Sequence, residues 1–199
     1  MKISMALAGL LAMLSLAVPG RAQEPGEKGP EAGEDLKAAA VIQDWPVGSR
    51  VIARAMIEEY GEPREVSGDY LLWRNNGPWK RTVVHRVPPA SWASRSEAEV
   101  LQQFVSYRVP LDKFAELAIF DSRIQADRAR SELSFRSDSE KLNFLALNLA
   151  NDIITGEKDA AQARLFYEQT AGLAQAGKGS PYTDGLRFAT GRLRLTLPY

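Results

Sequence analysis

Apolar residues recur with two different periods along this chain, and the places where one period gives way to the other predict its elements. Behind Ser49, a residue type that caps helix N-termini, Ile52, Ala55, Met56 and Tyr60 keep helical spacing until Gly61 and Pro63 stop the run. From Asp69 to Arg74, and again from Trp79 to Val87, aromatic and β-branched residues take over, and Asn75-Asn76-Gly77-Pro78 joins the two runs. A β-hairpin is predicted, with Asn-Gly supplying positive φ and Pro78 allowing a loop longer than two residues. Ser96 and Glu99 stand at capping-box spacing ahead of Val100, Leu101, Phe104 and Val105. That predicts a second helix from about 97, ending before Pro110. A short third helix is expected from Leu111 to Phe120. Ile124 to Asp127 and Glu132 to Arg136 alternate weakly and read as a second pair of strands, with a loop across 122–136 as the open alternative.

The clearest periodicity comes next. Ser137 and Glu140 again have capping-box spacing, and Leu142, Leu145, Ala146, Leu149, Ala150 and Ile153 hold a 3.6-residue period to Gly156. Asp159 then caps a partner helix with Ala160, Ala163, Phe166, Tyr167, Thr170, Ala171 and Ala174 on one stripe. Phe144, Leu147 and Ile154 make the first helix of the pair apolar on its other side as well, so it is expected between layers. Arg192 to Leu197 alternates like a terminal strand with one solvated face. The fold class expected is α+β: an antiparallel sheet that includes a β-hairpin, packed by helices, with a C-terminal helical hairpin.

Ahead of this region, Lys2 precedes a weakly apolar run from Met5 to Val18 and then Pro19, Gly20, Arg21 and Ala22. These read as the charged region, apolar region and small-residue cleavage site of a Sec-type signal peptide. The run, about fourteen residues, is shorter than the roughly 20 needed to span a bilayer. Gln23 to Asp35, QEPGEKGPEAGED, mixes Pro, Gly and charge without apolar periodicity. The expected organisation is a signal peptide over 1–22, a disordered linker over 23–36 and one α+β domain over 37–199. That describes a periplasmic or secreted bacterial protein with no membrane span after cleavage.

Composition narrows the chemistry. The chain has 25 basic and 25 acidic side chains, so no net field favours nucleic acid or an anionic membrane. The absence of cysteine excludes thiol nucleophiles, thiolate metal sites and a lipoprotein anchor, and a single histidine excludes a multi-histidine metal site. Gly172, Gly177 and Lys178 copy the frame of a phosphate loop, but Gly179 stands where Mg²⁺ coordination needs Ser or Thr. No cofactor, metal or catalytic motif is expected.

Two clusters are candidates for ligand binding. Trp79, Lys80 and Arg81 place an aromatic face beside cations at the hairpin tip, which suits sugars, peptides or lipid headgroups; the alternative buries the tryptophans in the core. His85 is placed on the alternating face of Trp79, Val83 and Val87, as a structural histidine, a base or a ligand contact. Asn148, Asn151 and Asp152 meet on one face of an otherwise apolar helix, where they either fasten it to neighbouring backbone or line a polar cavity. The leading functional expectation is a non-enzymatic binding or accessory protein with an envelope ligand or protein partner. The alternatives are a hydrolase of cell-envelope material, using carboxylates that sequence does not pair, and a structural partner subunit of an envelope protein.

Tyr60-Gly61-Glu62-Pro63 with WRNNGPWKR (Trp73 to Arg81), Tyr107-Arg108-Val109-Pro110, and NFLALNLANDI (Asn143 to Ile153) with Ala163-Arg164 resemble an uncharacterised family of small exported bacterial proteins. The similarity spans about residues 49 to 183. It implies export and carries no catalytic or binding assignment.

Overall fold

A computed structural model describes residues 37–91, 96 and 99–190. The expectations for a signal peptide, a linker and a strand over 192–197 lie outside the described residues. In chain order the elements are α1 (Ala38–Val41) with a 3₁₀ turn at Ile42–Asp44, α2 (Val47–Tyr60), β1 (Glu65–Val66), β2 (Tyr70–Asn76), β3 (Trp79–His85) and β4 (Leu101–Ser106). A 3₁₀ turn at Leu111–Lys113 leads into α3 (Phe114–Phe120), followed by β5 (Gln125–Asp127), β6 (Glu132–Ser137), α4 (Glu140–Thr155) and α5 (Ala160–Gln175). The six strands form one antiparallel sheet in the order β1-β2-β3-β4-β6-β5.

Register decides which side chains the helices meet. Leu71, Val84 and Leu101 stand opposite one another across β2, β3 and β4, and Val105 stands opposite Leu133. Ala53 and Met56 of α2 pack on the first group, and Leu145, Leu149 and Ile153 of α4 pack with the second. Both helices therefore cover one face of the sheet. α5 closes over α4, so α4 is buried between layers, as its all-round apolarity predicts. The opposite face carries Arg81, Gln102, Phe104, Gln125, Glu132 and Ser134.

The predicted second helix is a strand, β4. Leu101, Phe104 and Val105 fit a helical period, yet Leu101, Gln103 and Val105 alternate inward and are all fully buried. A glutamine on the core face disguised the alternation. It is tolerated there because its amide donates to Glu140 and its carbonyl accepts from Asn143, so both ends of its own side-chain amide are satisfied.

Two caps also differ from expectation. α2 begins at Val47, so Ser49 lies inside its first turn and donates its hydroxyl to the Pro46 carbonyl at 3.1 Å. α4 is capped by Ser139, whose Oγ accepts from the Leu142 N–H, while Ser137 remains in β6 and donates to Asn143. The cap of α5 is as expected: Asp159 and Gln162 form a reciprocal capping box.

At the hairpin tip Asn76 pairs with Trp79, so the loop has only two residues, Gly77 and Pro78. Gly77 at φ 59 followed by a proline, whose ring fixes a negative φ, gives the sign pattern of a type II′ turn. A Cβ at Gly77 would also approach Tyr60 Cε1 to 3.2 Å. Asn75, at φ 52, sits just before the tip and breaks the strand alternation. Thr82 meets Gln103 on the helix-covered side, and Trp79, three residues earlier, meets Phe144 and Glu140 on that side too. Arg74 and Arg81, paired with each other across β2 and β3, are left on the other face.

Candidate functional site

Polar groups on the helix-covered face are held by one another. Glu140, in the first turn of α4, accepts through Oε1 from Tyr60 Oη at 2.7 Å, Trp79 Nε1 at 2.6 Å and Gln103 Nε2 at 2.7 Å. Burial, followed by the bond to this carboxylate, raises the Tyr60 hydroxyl far above its ordinary value of 10, so it stays protonated and donates. Asn143 extends the network to Ser137 at 2.7 Å. The exposed-platform reading of the hairpin tip is therefore corrected: Trp79 is 1% exposed and stacks on Phe144 with ring centroids 4.7 Å apart. Trp73 is likewise buried and donates to the Gly61 carbonyl. Neither ring offers a face to a ligand.

The polar face of α4 is a clasp. Asn148 donates to the carbonyls of Tyr182 and Gly185 and accepts from the Arg187 N–H, so three backbone groups of the segment after α5 are bound by one side chain. Asp152 Oδ2 accepts from Lys158 Nζ at 2.6 Å and Tyr182 Oη at 2.7 Å, and the two donors lie 3.1 Å apart. Asn151 accepts from Tyr107 Oη at 2.9 Å. These residues fasten the helix to neighbouring chain, and the polar-cavity reading has no room in this geometry. Burial lowers His85 to about 4, making it a neutral imidazole at neutral pH, and the break at Asn75 separates it from the side on which Trp79 lies.

The remaining two candidates, Lys80 and Arg81, lead to a different place. Both bind Glu132, which is 3% exposed: Lys80 Nζ lies 2.9 Å from Oε1, and Arg81 contacts both carboxylate oxygens at 2.8 Å. Arg81 also lies flat over Phe104, 3.6 Å from the ring centroid. A cleft opens on each side of this ion triad. One, of about 610 Å³, is lined by Lys80, Ser106, Tyr107, Arg108, Arg130 and Ser131. The other, of about 490 Å³, is lined by Arg81, Gln102, Phe104, Gln125, Arg128 and Arg130 among others. Arg130 forms a wall of both.

Charge is unevenly distributed around these clefts. Asp127 stands directly opposite Glu132 in the β5–β6 register, and such a like-charge pair is unfavourable unless compensated. Lys80 and Arg81 compensate Glu132, while Arg130 bonds Asp127 through backbone and side chain and so lowers its carboxyl below the usual value. Arg108 and Arg128, both exposed, are left over, one lining each cleft. Among the described residues neither meets a carboxylate.

The chain matches no family model, no curated protein and no solved structure.

The site must therefore be interpreted on its own geometry. Among the described residues no cluster of three or more His, Asp or Glu is placed to hold a metal ion, and no helix is long and apolar enough to cross a membrane. Sequence reasoning identified Lys80 and Arg81 but missed Glu132, Phe104, Arg108, Arg128 and Arg130. The nearest signal was the charged run Asp127-Arg128-Ala129-Arg130 between two predicted strands. Only the strand register reveals that this run turns back to place Asp127 against Glu132.

Proposed function

We propose that this protein is an exported, non-enzymatic binding module that takes an anionic ligand on the open face of its sheet. The observation that carries this reading is the local cation excess: among the described residues, Arg108 and Arg128 meet no carboxylate on either side of an already neutralised Lys80–Glu132–Arg81 triad. In a chain of zero net charge such an excess is a local feature and concentrates on one surface. Both clefts fall within the size range of small-ligand sites.

The Asp127–Glu132 pair supports binding over hydrolysis. Glycoside hydrolysis by two carboxyl groups needs one to be held protonated as the general acid. Here Arg130 biases Asp127 toward its ionised form, and Glu132 is occupied by two cations. Export is supported by the charged, apolar and small-residue pattern of residues 2–22, which reads as a Sec-type signal.

Salt-dependent binding of polyphosphate, dextran sulfate and polyglutamate to the purified chain tests the reading. At least one should bind, and the double variant Arg108→Gln/Arg128→Gln should weaken it by about tenfold or more, since each lost charge contact typically costs of the order of 1 kcal/mol at low salt. Identical binding by the wild type and the double variant, or no binding of any probe, would overturn the assignment.

A further inference from the structure

We propose that the ligand of this face is a linear acidic polysaccharide lying across both clefts over Arg130; this rests on the anionic-ligand reading above. The two clefts, about 610 and about 490 Å³, share Arg130, so an extended molecule can pass from one to the other without leaving the surface. Its charges must be sparse. Among the described residues the cations without a carboxylate are one per cleft, Arg108 and Arg128, whereas a polymer with a phosphate on every unit calls for a dense row of lysine and arginine.

Between the cations the lining holds Asp127 and Glu132, each already paired with a cation, and several neutral hydrogen-bonding groups. Gln102 Nε2 donates to Gln125 Oε1 and to Ser134 Oγ, each at 3.0 Å, which aligns three side chains across β4, β6 and β5. That arrangement leaves the Gln102 carbonyl, the Gln125 amide N–H groups and the Ser134 hydroxyl proton for a ligand; Ser106 and Ser131 supply hydroxyls in the other cleft. Isolated cations separated by amides and hydroxyls complement a chain whose occasional carboxylates are separated by many neutral hydroxyls. The Arg81 guanidinium, flat on Phe104 and partly exposed, adds a planar surface of the kind on which a sugar ring packs. An acidic peptide would instead seek main-chain bonds along a sheet edge, and the edge strand here, β5, has three residues.

The test uses the full chain with defined fragments of hyaluronate, which alternate a uronate with a neutral sugar, beside polyphosphate and polyglutamate. An octasaccharide should bind at least about tenfold more tightly than a disaccharide, because occupying the second cleft becomes an intramolecular step. Gln125→Ala, at an exposed position, should weaken the octasaccharide severalfold without changing the melting temperature. Binding of polyphosphate or polyglutamate but of no saccharide would overturn this inference and leave the anionic-ligand reading standing. Saccharide binding that gains nothing with length would also overturn it. Failure of every anionic probe would remove both.

Discussion

The two faces of the sheet use polar residues in opposite ways. On the helix-covered face, Glu140, Gln103, Asn143 and Asn148 are enclosed, and their hydrogen-bonding groups are turned on one another or on the backbone. On the other face Glu132 is also buried, at 3% exposure, yet it sits between two clefts beyond which, among the described residues, two cations meet no carboxylate. Burial of a polar side chain therefore does not distinguish structure from function in this molecule. What distinguishes them is whether the partners of the group are complete. A completed network specifies one packing arrangement, whereas an incomplete one leaves valence for something outside the chain.

The contrast can be broken most directly at Glu140. Glu140→Leu leaves the donors of Tyr60, Trp79 and Gln103 without their acceptor and should lower stability by about 3 kcal/mol in urea denaturation, since a buried donor stripped of its partner bears its full desolvation penalty. An unchanged midpoint would show that the carboxylate is not what organises this face. Asn148→Leu should cost about 2 kcal/mol, because the Tyr182 and Gly185 carbonyls and the Arg187 N–H lose their shared partner; faster proteolysis after residue 177 should accompany the loss.

The effect expected from His85 depends on pH. The unfolded chain takes up a proton near 6.5 and the folded chain only near 4, so between these values the unfolded state binds more protons and stability falls as pH falls. The loss levels off below about pH 4. His85→Gln should flatten the stability profile across this window, and an unaltered slope would assign the acid sensitivity to other groups. The smallest effect is expected on the open face: Arg108→Gln and Arg128→Gln should each change stability by no more than about 0.5 kcal/mol. A larger loss would mean that these arginines belong to the scaffold.

Much of the architecture was legible in the sequence because local chemistry and tertiary packing agree there. The hairpin carried its own turn residues, and the α4–α5 pair carried uninterrupted periodicity with Asp159 and Gly156 at its boundaries. β4 was misread where the two levels conflict: Gln103 is polar by type but belongs to the core through contacts with Asn143 and Glu140, which lie 37 or more residues away. The same reason hid the site. Lys80 and Arg81 are visible as charges, but their meaning depends on Glu132, 51 residues beyond Arg81, and no local pattern announces that pairing. Trp79 could be read from sequence either as a tip platform or as a core residue, because nothing in its neighbourhood reveals the reversal at Asn75.

The Glu140 carboxylate also imposes an order of events on synthesis. Its partners precede it by 80, 61 and 37 residues, so the Tyr60 hydroxyl, the Trp79 indole and the Gln103 amide emerge from the ribosome long before their common acceptor exists. Until α4 arrives, the strands β2 to β4 can pair locally but have three polar groups with no settled place in a core. Completion of this part of the core is thus a long-range closure onto a single side chain that waits for Glu140. On the proposed export route, a core that cannot close early serves the same end as a chaperone.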